Sequence, residues 1–250
     1  MLSITDILLH HLVYWLVLMG LIIFVSLLYL YPYLNKHKKK FNKYHMIILI
    51  VNVVSFYIFL KLLEDMVYNS SIIDFDHLVN QTVVSLQTQW LTNIMMFITA
   101  FGNAVFIIIF CLVFLGMLIF KKRWRYAILS TLAIIGSLLL QVIFKNLTHR
   151  ARPPNSLIDV SNNFSFPSGH AITSIVIFSL LIYSFKDDIK DKLIKSFFII
   201  TASMFSLLIG LSRIYLNAHF FSDVIGGFAL GLFWFTLILL VEKSINNTKL

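Results

Sequence analysis

The sequence predicts an all-α fold, a polytopic membrane helix bundle, on three observations. Hydrophobic residues make up 59% of the 250 and charged ones 12%, with a mean hydropathy of +0.89. A soluble domain of this length could not cover such a surface with polar groups. The apolar residues gather into stretches near the ~20 residues that cross a roughly 30 Å hydrocarbon core. The basic residues recur after alternate stretches.

Taken in order, the first stretch, 8–32, has no basic segment ahead of it and exceeds the apolar length of a secretory signal, so it reads as a retained helix. A second runs over 46–63. Residues 64–96 then carry Asp74, Asp76, His77, Gln81, Gln87, Gln89 and Trp90 among spaced apolar residues, the pattern of an amphipathic helix on the outer membrane surface. Such a helix can handle lipid or cap the bundle, and the cap is the plainer reading. Further spans follow at 97–120, 126–145, 170–185, 193–211 and 224–241, of which 170–185 is short and crosses only with its flanks. Seven spans result.

Orientation follows from the cations. Lys36, Lys38, Lys39, Lys40 and Lys43 form one group; Lys121, Lys122, Arg123 and Arg125 a second; Lys186, Lys190, Lys192 and Lys195 a third; Lys243 and Lys249 a fourth. All four fall after alternate spans, as cytoplasmic segments do under the positive-inside rule. The N-terminus and the loops between the basic groups therefore face outward.

Other classes are excluded in turn. The net charge of +9 would suit nucleic acid, but no soluble basic domain exists to bind it, and membrane topology accounts for the charge. The single Cys111 allows neither an intramolecular disulfide nor a cysteine-based zinc site. No repeat, low-complexity tract or linker divides the chain, so 1–250 reads as one membrane domain: 1–96 with the N-terminal helices and the amphipathic segment, and 97–241 as its core. Nothing in the sequence bears on oligomeric state.

Three polar interruptions carry chemistry: Lys145 to Pro153 (KNLTHRARP), Pro167 to His170 (PSGH) and Ser212 to Asp223 (SRIYLNAHFFSD). Lys145 and Arg152 are seven residues apart, two helical turns, and share a face if the fourth span continues that far; Pro153 and Pro154 stop it. As ordinary charges at a helix end they would sit on the wrong side of the charge rule. Ser168 falls at an N-cap, where the free N–H groups bind anions, and Gly169 lets backbone approach a phosphate. If the chain is helical from His219 onward, Asp223 lies four residues along, fixes one ring nitrogen and frees the other as nucleophile. Arg213 adds a third cation, and ionisable groups near membrane depth are functional candidates. A lysine, two arginines, two histidines, a serine and an aspartate are the set that phosphoryl transfer needs. Three cations and a helix N-terminus stabilise a transferring phosphoryl group without a metal, and no carboxylate cluster is present to hold Mg²⁺.

These residues, with their internal spacings, resemble the three signature motifs of the type-2 phosphatidic acid phosphatase superfamily: Lys, six residues, Arg-Pro; Pro-Ser-Gly-His; and Ser-Arg, five residues, His, three residues, Asp. The resemblance covers 145–223 by motif and 97–241 by helix order. It implies a six-helix phosphatase core against the seven spans counted here, so that either the first span is an extra N-terminal helix or one of the first two spans does not cross. It also implies a phosphohydrolase that needs no metal or cofactor and works through a phosphohistidine. By that resemblance His219 is the nucleophile, Asp223 its orienting partner, and His170 the acid and later the base. Lys145, Arg152 and Arg213 hold the phosphoryl oxygens, with Ser168 and Gly169 completing the cradle.

The expected partner is a lipid phosphate in the bilayer of the cell membrane, reached at the outer face. Phosphatidylglycerophosphate, phosphatidate and a polyprenyl diphosphate such as undecaprenyl diphosphate all satisfy this. His149 and Arg150 could touch a second phosphate, although the plainer reading leaves them solvated near the headgroups. Vanadate haloperoxidases share the motifs but are largely soluble. A non-catalytic binder or mover of anionic lipids could use the cations, yet would not need His219, Asp223 and His170 together.

Overall fold

The computed structural model describes residues 43–68, 70–160 and 164–247, so the expected span at 8–32 and the first lysine group's residues 36–40 lie outside the described residues. Eight helices occupy them: α1 (Lys43–Tyr68), α2 (Ser70–Ser85), α3 (Gln89–Ala100), α4 (Ala104–Phe120), α5 (Trp124–Thr148), α6 (Gly169–Phe185), α7 (Lys192–Tyr215) and α8 (Phe221–Asn247). No strand is found among the described residues. The chain is an all-helical, multi-pass membrane protein.

Four helices are long and apolar enough to cross a bilayer: α1, α5, α7 and α8. The pair α3–α4, bent by 45° at Phe101–Asn103, is apolar and long enough to cross when its two helices are taken together. Here the structure departs from the expected span at 97–120, because the polar face predicted over 64–96 ends early. Helix α3 starts at Gln89, after Thr88 in extended conformation, and runs straight into apolar sequence. The remainder of that segment is α2, which packs on α1, α7 and α8 as a cap.

Helix α6, at 17 residues, is apolar all round, and a helix of that kind belongs inside a bundle. It sits between α5, α7 and α8, where Ala171, Ile172, Val176 and Leu180 are almost wholly buried. The lipid-facing helices instead show apolar side chains on their outer faces, among them Ile108, Leu112, Leu139, Ile143, Phe197 and Ile200. Lipid tails gain little from displacing other apolar groups, so close packing and buried hydrogen bonds lock the helices together. Asn52 Nδ2 of α1 donates to the Phe233 carbonyl (2.8 Å) and to Thr236 Oγ1 (2.9 Å) of α8. Trp234 Nε1 of α8 reaches the Ala133 carbonyl of α5 at 3.0 Å, lying against Gly136.

The basic turns between α4 and α5 and between α6 and α7 share one end of the bundle, where Arg123 pairs with Asp188 at 2.5 Å. Helix α5 runs from that end to Thr148, so the three polar interruptions lie together at the other end.

Candidate active site

Each interruption is shaped by how its helix starts or stops. Helix α5 does not continue to Pro153. It ends at Thr148, with His149 in the left-handed conformation (φ 47°) and its N–H returned to the Lys145 carbonyl at 3.2 Å. Lys145 and Arg152 therefore share no helix face, and it is the loop that carries Arg152 back over the site. Thr148 Oγ1 anchors that loop to the Phe166 carbonyl at 3.1 Å.

Ser168 is the N-cap of α6, as expected, but its hydroxyl makes no cap bond and is buried without a partner. Its N–H donates to the Asp223 carbonyl at 2.9 Å, fastening the second interruption to the third. A Cβ at Gly169 would meet the amide end of the Gln141 side chain of α5, which would have to turn away to admit it.

Helix α8 begins at Phe221 rather than His219, yet the His219–Asp223 pair forms. Asp223 Oδ2 accepts the N–H of Phe220 at 2.9 Å, half of a capping box, which places the carboxylate beneath the preceding turn. His219 Nδ1 lies 3.4 Å from that oxygen. Ser165, which sequence reasoning missed, hydrogen-bonds the same oxygen and stands 3.3 Å from Nδ1. On the other side of the ring, Arg152 Nη1 is 3.2 Å from Nε2 and also donates to the Ala218 carbonyl at 2.8 Å. A guanidinium can only donate, so Nε2 accepts and the ring proton belongs on Nδ1, toward Asp223. Burial pushes the His219 imidazole down to about 4, with Asp223 opposing and the Arg213 and Arg152 charges reinforcing. Burial also lowers Arg152, against the pull of Asp223.

These groups surround a cavity of about 570 Å³ lined by Lys145, Arg152, Gly169, His170, Arg213 and His219. Ser168 and Asp223 stand behind its wall. Lys145 Nζ is held by the Phe164 carbonyl, and Arg213 Nη1 donates to Thr99 Oγ1 of α3 at 2.8 Å while its buried Nε has no protein partner. His170 Nε2 lies 3.3 Å from Asn103 Oδ1, in the α3–α4 bend. Among the described residues no three His, Cys, Asp or Glu side chains converge to hold a metal ion.

Arg150 corrects the reading that left it solvated. Its side chain is 14% exposed and bridges two fully buried carboxylates, Asp76 and Asp223, at 2.6 Å each. A lone arginine beside a motif arginine gives no sign of this in sequence; the partner, Asp76, comes from α2. His149 is exposed, its ring against Phe164.

The PAP2 superfamily profile matches residues 125–246. Phosphatidylglycerophosphatase B of Bacillus subtilis (strain 168) is 30% identical over 199 residues, 78% of this chain and 97% of that protein. The crystal structure of a transmembrane PAP2-type phosphatidylglycerolphosphate phosphatase from Bacillus subtilis superposes with a TM-score of 0.71 at 28% identity, over 78% of this chain and 96% of the other. That of Aquifex aeolicus LpxE gives 0.50 at 22% identity, over 67% and 93%, a likeness of fold.

Proposed function

This chain belongs to the PAP2 superfamily, it is a membrane lipid phosphatase, and on that premise we propose that it removes a terminal phosphate through a phosphohistidine formed on His219. The observation that carries the reading is the two-sided hold on that ring: Nδ1 toward Asp223 and Nε2 toward Arg152 at the cavity wall. Nε2 attacks phosphorus as the ester P–O bond breaks, and the lipid alkoxide takes its proton from His170. Water then attacks phosphorus, His170 accepts the water's proton, the N–P bond breaks, and inorganic phosphate leaves. Lys145, Arg152 and Arg213 meet the charge on the equatorial oxygens, with the Gly169 amide at the positive end of α6 and Ser168 shaping that turn. Arg213 Nε, buried without a protein partner, suits a phosphoryl oxygen.

The substrate we favour is phosphatidylglycerophosphate. It is the substrate in the relatives' names, and the cavity adds support. Beyond the cations it presents Asn103, Gln141 and Asp159, groups that bind the hydroxyl of a glycerol headgroup. The Asp159 carboxylate would repel a second phosphate, which counts against a diphosphate. Met96, Ile107 and Leu138 line its apolar side and suit lipid tails. The basic turns lie at the opposite end of the bundle, so under the positive-inside rule the site opens on the outer face of the cell membrane. Residues 97–241 form the phosphatase core in this reading, with α2 contributing from outside it.

Detergent-purified protein is assayed against lipid mono- and diphosphates in EDTA, with quenched samples analysed for acid-labile phosphohistidine. Turnover of phosphatidylglycerophosphate in chelator, inhibition by vanadate, and loss of both turnover and phosphoenzyme in His219→Ala are expected. Activity lost in EDTA and restored by Mg²⁺ or Zn²⁺, or a phosphoenzyme persisting in His219→Ala, would overturn the mechanism.

A further inference from the structure

We infer that Arg150 is a positioning residue for the His219–Asp223 pair, clamped in turn by Asp76 of α2, so that a helix outside the matched residues 125–246 sets the aim of the nucleophile. The inference rests on the phosphohistidine reading above. Its basis is the way Asp223 is shared. Oδ2 faces the histidine side, taking Ser165 Oγ, the Phe220 N–H and His219 Nδ1. Oδ1 belongs to Arg150 Nη1, at 2.6 Å. A carboxylate held at one oxygen can swing about its Cβ–Cγ bond; held at both, it fixes the plane in which Nδ1 must lie.

Arg150 is itself fixed on every side. Nη2 meets Asp76 Oδ2 at 2.6 Å and Nη1 also meets Ser222 Oγ at 2.7 Å. Asp76 in turn accepts the N–H (2.9 Å) and hydroxyl (2.5 Å) of Ser222, the residue next to Asp223. The guanidinium lies over the Phe220 ring, 4.4 Å from its centroid, and the Arg150 carbonyl accepts the Ser165 N–H at 2.8 Å. Side chain and main chain of one residue thus constrain both groups that touch His219 Nδ1. Lysine could not do this, since the two carboxylates require a fork of parallel donors. Arg150 does not line the catalytic cavity, so it acts through Asp223 rather than on substrate.

The test uses full-length protein carrying Arg150→Met, Arg150→Lys, Asp76→Asn, or Asp76→Asn with Arg150→Met. The charged or titratable groups facing the pair are Asp76 and His77 of α2, Lys145 of α5, Arg150 and Arg152 of the loop, His170 of α6 and Arg213 of α7, and all but the substituted ones are kept. Arg150→Met is expected to lower kcat and the rate of phosphoenzyme formation about 10- to 100-fold, on the scale of partners that orient metal-bound histidines, while KM for phosphatidylglycerophosphate stays at the parental value. The acid limb of kcat/KM should move up in pH, because Asp223, relieved of its cation, holds a proton on the pair more firmly. Arg150→Lys should restore the limb but only part of kcat. The double variant removes a matched pair of charges, so its thermal stability should approach the parent's while kcat stays low. Recovery of kcat in the double variant would show that Arg150 serves only to balance Asp76 and would overturn the inference. A raised KM with kcat intact would do the same, by making Arg150 a substrate contact. Should Arg150→Met fail to fold, Arg150→Lys and Asp76→Asn read the same kcat and pH signatures. Absence of any phosphoenzyme in the parent overturns the nucleophile assignment itself; a trapped phosphoenzyme that forms as fast in Arg150→Met as in the parent overturns this inference alone.

Discussion

Gly102 stands in the bend between α3 and α4, and a methyl group there should disable the enzyme without unfolding it. The turn's N–H groups are satisfied locally, Gly102 to the Thr99 carbonyl at 2.9 Å and Asn103 to that of Ala100 at 3.1 Å. Its φ lies outside the left-handed region, so alanine fits the backbone. Space is the obstacle. A Cβ would sit well inside contact distance of His170 Cδ2 and 3.1 Å from Ile209 Cγ2. Ile209 is buried and cannot retreat, whereas the partly buried His170 ring borders the cavity, so the imidazole must shift by about 1 Å to regain a normal carbon–carbon separation. A misplacement of ~1 Å at a catalytic group costs about 10²-fold. The expected outcome for Gly102→Ala is that loss in kcat on a lipid phosphate, with thermal stability in detergent close to the parent's. With p-nitrophenyl phosphate, whose leaving group needs little protonation, the first step should suffer much less. Gly116→Ala in α4 is the control, since nothing lies within 4 Å of the added carbon. Parental kcat for Gly102→Ala on the lipid phosphate, or an equal loss on both substrates, would refute the argument.

The two histidines should separate by leaving group: His170→Ala is expected to cost on the order of 10²- to 10⁴-fold with a lipid alkoxide and far less with p-nitrophenyl phosphate, while His219→Ala abolishes turnover of both. Since burial lowers His219 to about 4, the neutral ring that the proposed mechanism needs persists well into acid, and the acid limb of kcat/KM should fall near 4 rather than near the ordinary 6.5; a limb at 6.5 would show that the ring is not desolvated. The same shift affects stability. A histidine depressed on folding contributes stability above about pH 6.5 that is lost as pH falls through about 4, about 3 kcal/mol here, so melting temperature should drop over that window in the parent and less in His219→Gln. In a Cys111→Ala background, Gln89→Cys and Lys190→Cys should label from opposite sides of the membrane, the first with an impermeant reagent applied outside; labelling from one side would sink the outward-facing site.

Membership of the bundle was legible residue by residue. The runs at 126–145, 193–211 and 224–241 became α5, α7 and α8, and the short 170–185 run became the buried α6, because apolar length and composition act locally and need no knowledge of neighbours. The break at Phe101–Asn103 falls inside the predicted 97–120 span, at Gly102 and Asn103, two turn-forming residues whose signal the apolar length around them outweighs. Gly102 also lies close against His170, a contact between residues 68 positions apart that no local pattern records.

The motif spacings in the sequence, Lys145 to Arg152, Pro167 to His170 and Arg213 through His219 to Asp223, were enough to name which side chains would meet, because each charge would be costly at the end of an apolar helix unless it served a site. How they meet was decided in three dimensions. The left-handed turn at His149 ends α5 and returns Arg152 to the cavity by a loop, and the Phe220 N–H seats Asp223 beneath His219. Ser165, Asp76 and Arg150 carry no signal of their own, since an ordinary serine, an acid in an amphipathic helix and one arginine among several acquire a role only when folding brings α2, Arg150 and Ser165 against Asp223 of α8. Local hydrophobicity and charge determine the helices and the polar groups at their ends; the orientation of those groups depends on long-range hydrogen bonds, which exist only once the bundle has closed.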